Sequence, residues 1–166
     1  MIIMTDRELI EFNKRLNEIK QLGIYVPKEM TPKSKIRGVY GFFVKVDENY
    51  ICFYIGKSND IFLRMLGKNS HLNDYLRGVR KTDVHKKIEK YLNDGYEIEI
   101  RILQKIDYIG DSFEKDANRL ALAELQELVN YQDMGGCQKQ LSEAVKEKYE
   151  RIEWESIHQS NSNIMY

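Results

Sequence analysis

One stretch constrains this chain more than any other: GVYGFFVKVDENYICFYIGKSNDIFLR, residues 38–64. Its density of β-branched and aromatic residues predicts a strand over 39–46, a turn at Asp47, Glu48 and Asn49, and a second strand over 50–55. A Gly56-Lys57-Ser58-Asn59 turn then opens a helix that carries Arg64. Two tyrosines, Tyr40 and Tyr54, therefore stand on adjacent antiparallel strands, with an arginine on the next helix. Such a corner is suited to handling a phosphate.

The remaining elements are predicted around this unit. Thr5 or Asp6 caps a helix to about Leu22, with an apolar face of Leu9, Ile10, Phe12, Leu16 and Ile19, and Gly23 ends it. Ile24-Tyr25 is a poor strand candidate because Pro27 and Pro32 follow closely, and 27–35 reads as an exposed linker. Gly67 breaks the helix of Arg64, and Ser70 caps another over 71–76. Asp83 caps a helix over 84–93 with Val84, Ile88, Tyr91 and Leu92 inward and Lys86, Lys87 and Lys90 outward. Residues 97–103 alternate like a half-buried strand.

From 112 to 132 the helical period returns, with Phe113, Ala117, Leu120, Ala121, Leu125, Leu128 and Val129 on the apolar side. Met134-Gly135-Gly136-Cys137 interrupts it. A last helix over about 138–157 has Leu141, Val145, Tyr149 and Ile152 on one stripe, and the tail 159–166 is polar. The layout is α+β: a small three-stranded antiparallel or mixed sheet flanked by helices, with extra N- and C-terminal helices. Residues 1–34 form an N-terminal helix and linker, 35–140 the core, and 141–166 an acidic helix and tail.

At 166 residues, 42% hydrophobic and 31% charged, the chain suits one globular domain with a core of its own. No apolar run reaches a membrane span, and MIIMTDRE lacks a basic leader with a long apolar stretch, so the expected location is cytoplasmic. Cys52 and Cys137 sit at no metal-ligand spacing and read as two lone, reduced, structural cysteines. The net charge is zero but uneven: residues 33–92 hold 13 Lys or Arg against 6 Asp or Glu, and residues 93–166 hold 8 against 15. The basic part can attract a phosphate backbone without regard to sequence.

Gly38-Val39-Tyr40, then Tyr54-Ile55-Gly56, then Arg64 ten positions after Tyr54 together resemble the GIY-YIG nuclease superfamily. The helix ending in Asn93-Asp94-Gly95 before a strand, and the long helix that follows, match that family's element order across about 35–140. The resemblance implies a divalent-metal-dependent DNA endonuclease that hydrolyses phosphodiester bonds with one magnesium or manganese ion. Carried over by position, Tyr40 and Tyr54 orient or activate water, Arg64 clamps the phosphate and Lys57 adds charge beside it. Glu124 becomes the metal ligand; Glu127 competes for that role, with Glu114 behind it.

Two positions depart from the family's pattern. Where many members carry histidine or tyrosine four residues after the arginine, this chain has Lys68, and His71 is the candidate proton relay or phosphate contact. His85 and His158 read as ordinary surface residues. No asparagine follows the metal helix at the family's usual place, where Gln138 or Gln140 can substitute. A catalytically weak or inactive module that binds nucleic acid or a protein partner is therefore the alternative. The acidic last helix can lie against the basic segment, or pack at a homo-oligomeric or partner interface.

Overall fold

The computed structural model describes residues 4–164, with side chains to His158. Among these residues the chain is α+β, with six helices and four strands. Helix α1, Asp6–Leu22, starts at Thr5, whose side chain accepts from the Glu8 N–H, and ends at Gly23 with φ +97°. That left-handed turn costs glycine little, and it points the chain directly into a strand.

The strand is β1, Ile24–Tyr25, and it corrects the predicted three-stranded sheet to four strands. It pairs parallel with β4, Ile98–Lys105, and the Gly23 carbonyl accepts from the Ile98 N–H at 2.9 Å. Pro27 falls after the two paired residues, so its missing donor removes no ladder bond. Alternation alone gives no signal for a strand this short. The linker that follows is also less exposed than predicted, because Met30 is buried in the core.

Strands β2, Gly38–Val46, and β3, Asn49–Ser58, form the hairpin. The turn is Asp47–Glu48, one residue shorter than predicted, with Asp47 at φ 57°. The order β1-β4-β2-β3 makes β3 an edge strand. A register shift pairs Phe42 with Tyr54 but Phe43 with Cys52, leaving Phe53 as the bulged residue. Tyr54 thereby packs with Tyr40 and Phe42, while Cys52 joins the opposite face with Phe43 and Ile55.

Helices α2, Ile61–Leu66, α3, His71–Leu76, and α4, Asp83–Asn93, cover the first face together with α1. Thr82, not Asp83, caps α4. Ser70 makes no side-chain cap bond; its hydroxyl donates back to the Met65 and Gly67 carbonyls and turns the chain so that His71 enters the core. Helix α5, Phe113–Asp133, covers the second face through Leu120, Ala123 and Leu128. Phe113, Leu125 and Val129, predicted inward, are exposed. The helix touches only a narrow part of the sheet, so much of its wide apolar surface faces solvent.

Helix α6, Glu147–Ile164, begins nine residues after the predicted 138 because residues 138–146 are drawn into turns against β3. Its described side chains, Tyr149, Ile152, Trp154 and Ile157 included, are exposed. The predicted polar tail 159–166 lies outside the described residues except for this helical backbone. No described helix is long and apolar enough to cross a membrane.

Candidate active site

Tyr40 is centred on β2 opposite Gly56 and is 1% exposed. The two are sterically coupled. A Cβ on Gly56 would run into the Tyr40 Oη and Cζ, so only glycine lets the phenol lie across the neighbouring strand. Tyr40 Oη is 2.9 Å from His71 Nε2, and His71 contacts the rings of Tyr40, Phe42 and Tyr54. After the Gly67 break, His71 thus enters the core against Tyr40 and Tyr54. His71 is held from behind, because His85 Nε2 lies 2.9 Å from the His71 carbonyl and donates to it.

His85 corrects the sequence reading. It is 2% exposed, with Nδ1 buried and unpartnered, and so is no surface residue. It stands in the first turn of α4, and the helix is rotated to bury Val84, His85 and Ile88 together. The sequence shows only a helix start, not the face turned inward. His158, by contrast, is exposed on α6, within 2.8 Å of the Trp154 carbonyl and stacked on that ring.

Burial sets the protonation states of the sealed pair. His71 is lowered to about 3, first by desolvation and then by the charges of Arg64 and His85. It is thus neutral at ordinary pH, with a ring-nitrogen lone pair to accept from the Tyr40 hydroxyl. Desolvation also pushes the Tyr40 phenol up, with Tyr54 adding to the shift and Arg64 opposing it. Tyr54 is raised by burial, again against Arg64, while Glu124 and Glu143 push it further up. Both phenols are therefore protonated donors in the resting protein.

The charged candidates gather at the more open side. Arg64 is exposed on α2, and Tyr54, Lys57 and Glu124 are partly buried. The Glu124 charge reaches both phenols although α5 packs on the opposite sheet face, so the two layers meet around the β3 edge. Burial raises the Glu124 carboxyl, Lys57 opposes the shift and Glu143 adds to it. Glu127 instead accepts from Gln104 Nε2 at 2.9 Å, and Glu114 is exposed near the start of α5. Tyr40, Tyr54 and His71 are thus in direct contact, and the charges of Arg64, Lys57 and Glu124 are felt within the same cluster, while Glu127 is engaged with Gln104.

Models of protein families, curated proteins and solved structures yield no match to this chain.

Two residues of the neighbourhood differ from the sequence reading, Gln140 in its role and Glu143 in being there at all. Gln140, foreseen only as an asparagine substitute, does not reach a tyrosine. Its amide brackets the Ile55 backbone, accepting from the N–H at 3.0 Å and donating to the carbonyl at 2.6 Å, so it supports the strand between Tyr54 and Gly56. Gln138 is exposed. Glu143 lies 3.9 Å from Lys57 Nζ, but it belongs to the turns before α6 and not to the acidic helix itself, whose described side chains are exposed. An ambiguous loop sequence hides both, since nothing local says that 138–146 folds back on β3.

Among the described residues no group of three or more His, Cys, Asp or Glu gathers around a possible ion. Magnesium needs no such cage, because it keeps most of its waters and takes one or two carboxylates. Glu124 suits that role, being half-buried with no protein donor among the described residues bonded to its carboxylate. A soft or imidazole-rich metal finds no matching donor set at this cluster.

Proposed function

We propose that this protein is a divalent-metal-dependent DNA endonuclease of the GIY-YIG kind, with the cluster above as its active site. One observation carries the reading: Tyr40, bonded to His71 and packed beside Tyr54, shares with Tyr54 the electrostatic influence of both Arg64 on α2 and Glu124 on α5, which are 60 positions apart in sequence. Tyr40, closed off with His71, is the positioning phenol. Tyr54, more open and coupled to it, is the one that meets the attacking water.

In this mechanism Arg64 and Lys57 bind the scissile phosphate and offset the charge that grows on it. Glu124 would hold a magnesium or manganese ion, which would supply Lewis acidity for the hydrolysis. Tyr54 orients the water, and the neutral His71 keeps Tyr40 fixed by accepting its hydrogen bond. Exposed Arg77, Lys81, Lys86 and Lys90 on and before α4 supply attraction to the rest of the duplex. The raised phenols favour a second reading, a DNA-binding module of the same fold with weak or no catalysis, because neither phenol is a ready base at neutral pH.

Supercoiled-plasmid nicking separates the two. The intact protein should nick in magnesium or manganese and stop in excess chelator. Glu124→Ala and Arg64→Ala should each lose at least 100-fold, roughly the worth of one transition-state contact, while retaining the fold. Duplex binding without nicking in either metal leaves the binding module; undiminished nicking by Glu124→Ala ends the assignment of the metal ligand.

A further inference from the structure

Cys52 and Cys137 are 85 positions apart in sequence, yet their Sγ atoms lie 3.6 Å apart, with both thiols free and buried. The close approach is built into the backbone. Gly136 passes so near β3 that a Cβ there would sit 2.6 Å from the Cys52 carbonyl oxygen. The Cys137 N–H donates to that same carbonyl at 3.2 Å, with Cys137 itself in a left-handed turn at φ 49°. Three residues on, the Gln140 amide fixes the loop to Ile55. The loop is therefore stitched to the edge strand on either side of the thiols.

We propose that Cys52 and Cys137 form a redox modification site, at which a peroxide converts the two thiols into an intramolecular disulfide joining β3 to the loop after α5. Cys137 is the attacking sulfur. The adjoining Cys52 thiol holds it below the usual thiol range, against burial and with help from Lys87, while Cys52 is pushed up. The Cys137 thiolate takes one peroxide oxygen, the O–O bond breaks, and a sulfenic acid forms as the other oxygen leaves as water. The Cys52 sulfur then displaces the hydroxyl from the sulfenic sulfur, the S–S bond forms and a second water leaves. Two thiols lose two electrons and two protons, and one hydrogen peroxide becomes two waters.

The geometry selects this product over its competitors. A disulfide needs its sulfurs about 2.05 Å apart, so they must approach by only about 1.5 Å, within reach of a loop that contains Gly135 and Gly136. Burial excludes glutathione and a second protein chain, which rules out mixed and intermolecular disulfides as the main outcome. The bond would tie down the loop that carries Gln140, and with it the β3 segment holding Tyr54 and Gly56.

The test uses the full chain and involves no DNA, so it stands apart from the nuclease reading. After treatment with hydrogen peroxide, alkylation and mass mapping should show free thiols falling from two to none, one linked Cys52–Cys137 peptide pair and no covalent dimer. Exposed Met134 serves as an internal dosimeter, since its conversion to sulfoxide shows that oxidant reached the protein. The oxidised protein should melt about 5–10 °C higher, as a crosslink closing a long loop restricts the unfolded chain, and reductant should reverse the shift. Cys52→Ser should leave Cys137 overoxidised and the melting temperature unraised. Two intact thiols alongside fully oxidised Met134, or linkage between chains, would overturn the proposal; if the serine variant does not fold, the wild-type mapping alone decides.

Discussion

The two faces of the β2–β3 hairpin are built differently. On one, Tyr40, Phe42, Phe53 and Tyr54 are sealed by four helices, α1 to α4, with Phe62, Met65, Leu66 and Leu72 almost wholly buried. On the other, Val39, Phe43, Cys52 and Ile55 are covered by α5 and the loop after it, and apolar residues of that helix remain in solvent. The thick side holds the buried, hydrogen-bonded pair Tyr40 and His71. The thin side brings in the charges, Lys57, Glu124 and Glu143, where water can screen and exchange with them. In the proposed nuclease, a site assembled across such a boundary would draw rigid orientation from one layer and adjustable electrostatics from the other.

Core truncation gives the largest test of that contrast. Leu66→Ala should cost about 3–5 kcal/mol in a urea titration and Leu128→Ala about 2–3, because the thick layer is less able to collapse into a cavity. Equal costs would mean that the faces are equally packed. Next is Gly56→Ala, where the added methyl meets a phenol that has no room to retreat. We expect a loss of roughly 2–3 kcal/mol from overpacking and a weakened Tyr40–His71 bond. A variant as stable as the wild type would show that Tyr40 can move, contrary to its role as the fixed phenol.

Acid should attack the thick side first. The folded His71 refuses a proton until about pH 3, whereas an unfolded histidine takes one near 6.5. Between those values the unfolded state binds more protons, so stability falls as pH falls, by about 1.4 kcal/mol per unit; above 6.5 the group contributes no slope. Going from pH 7 to 5 should therefore remove about 2 kcal/mol. The raised Glu124 carboxyl slopes the other way, gaining a proton more readily when folded, but it is only half-buried and its effect is damped by solvent. Urea midpoints at pH 7, 6 and 5 check this, and His71→Gln should flatten the profile.

The contrast also explains what could be read from sequence. The hairpin and the α5 helix rest on strong local periodicity, whereas grouping Tyr40, Tyr54, Arg64 and Glu124 rests on the family resemblance and not on any local pattern. What escaped depends on long-range geometry. The Phe53 bulge, invisible in the alternation, sends Cys52 and Tyr54 to opposite faces. The pairing of β1 needs β4 as a template, and the inward turn of His85 depends on how α4 docks. Cys137 meets Cys52 only because 134–140 returns to the strand, a path that its glycines permit but do not announce.

The smallest effect lies at the outermost contact of the thin side. Glu143 is nearly free in solvent and 3.9 Å from Lys57, so as a stabilising ion pair it is worth well under about 1 kcal/mol. In the proposed nuclease, however, it occupies the lysine that a DNA phosphate must reach. Replacing it should cost no measurable stability yet tighten duplex binding. Glu143→Gln is expected to raise affinity about 2–5-fold at low salt, with the gain fading as the Debye length shrinks below about 8 Å. The gain should vanish in a Lys57→Met background, where no cation remains to be released. Fluorescence anisotropy with a short duplex reads all four proteins. A gain that persists without Lys57 would mean that Glu143 acts only through overall charge, and the thin face would lose its claim to a specific electrostatic gate.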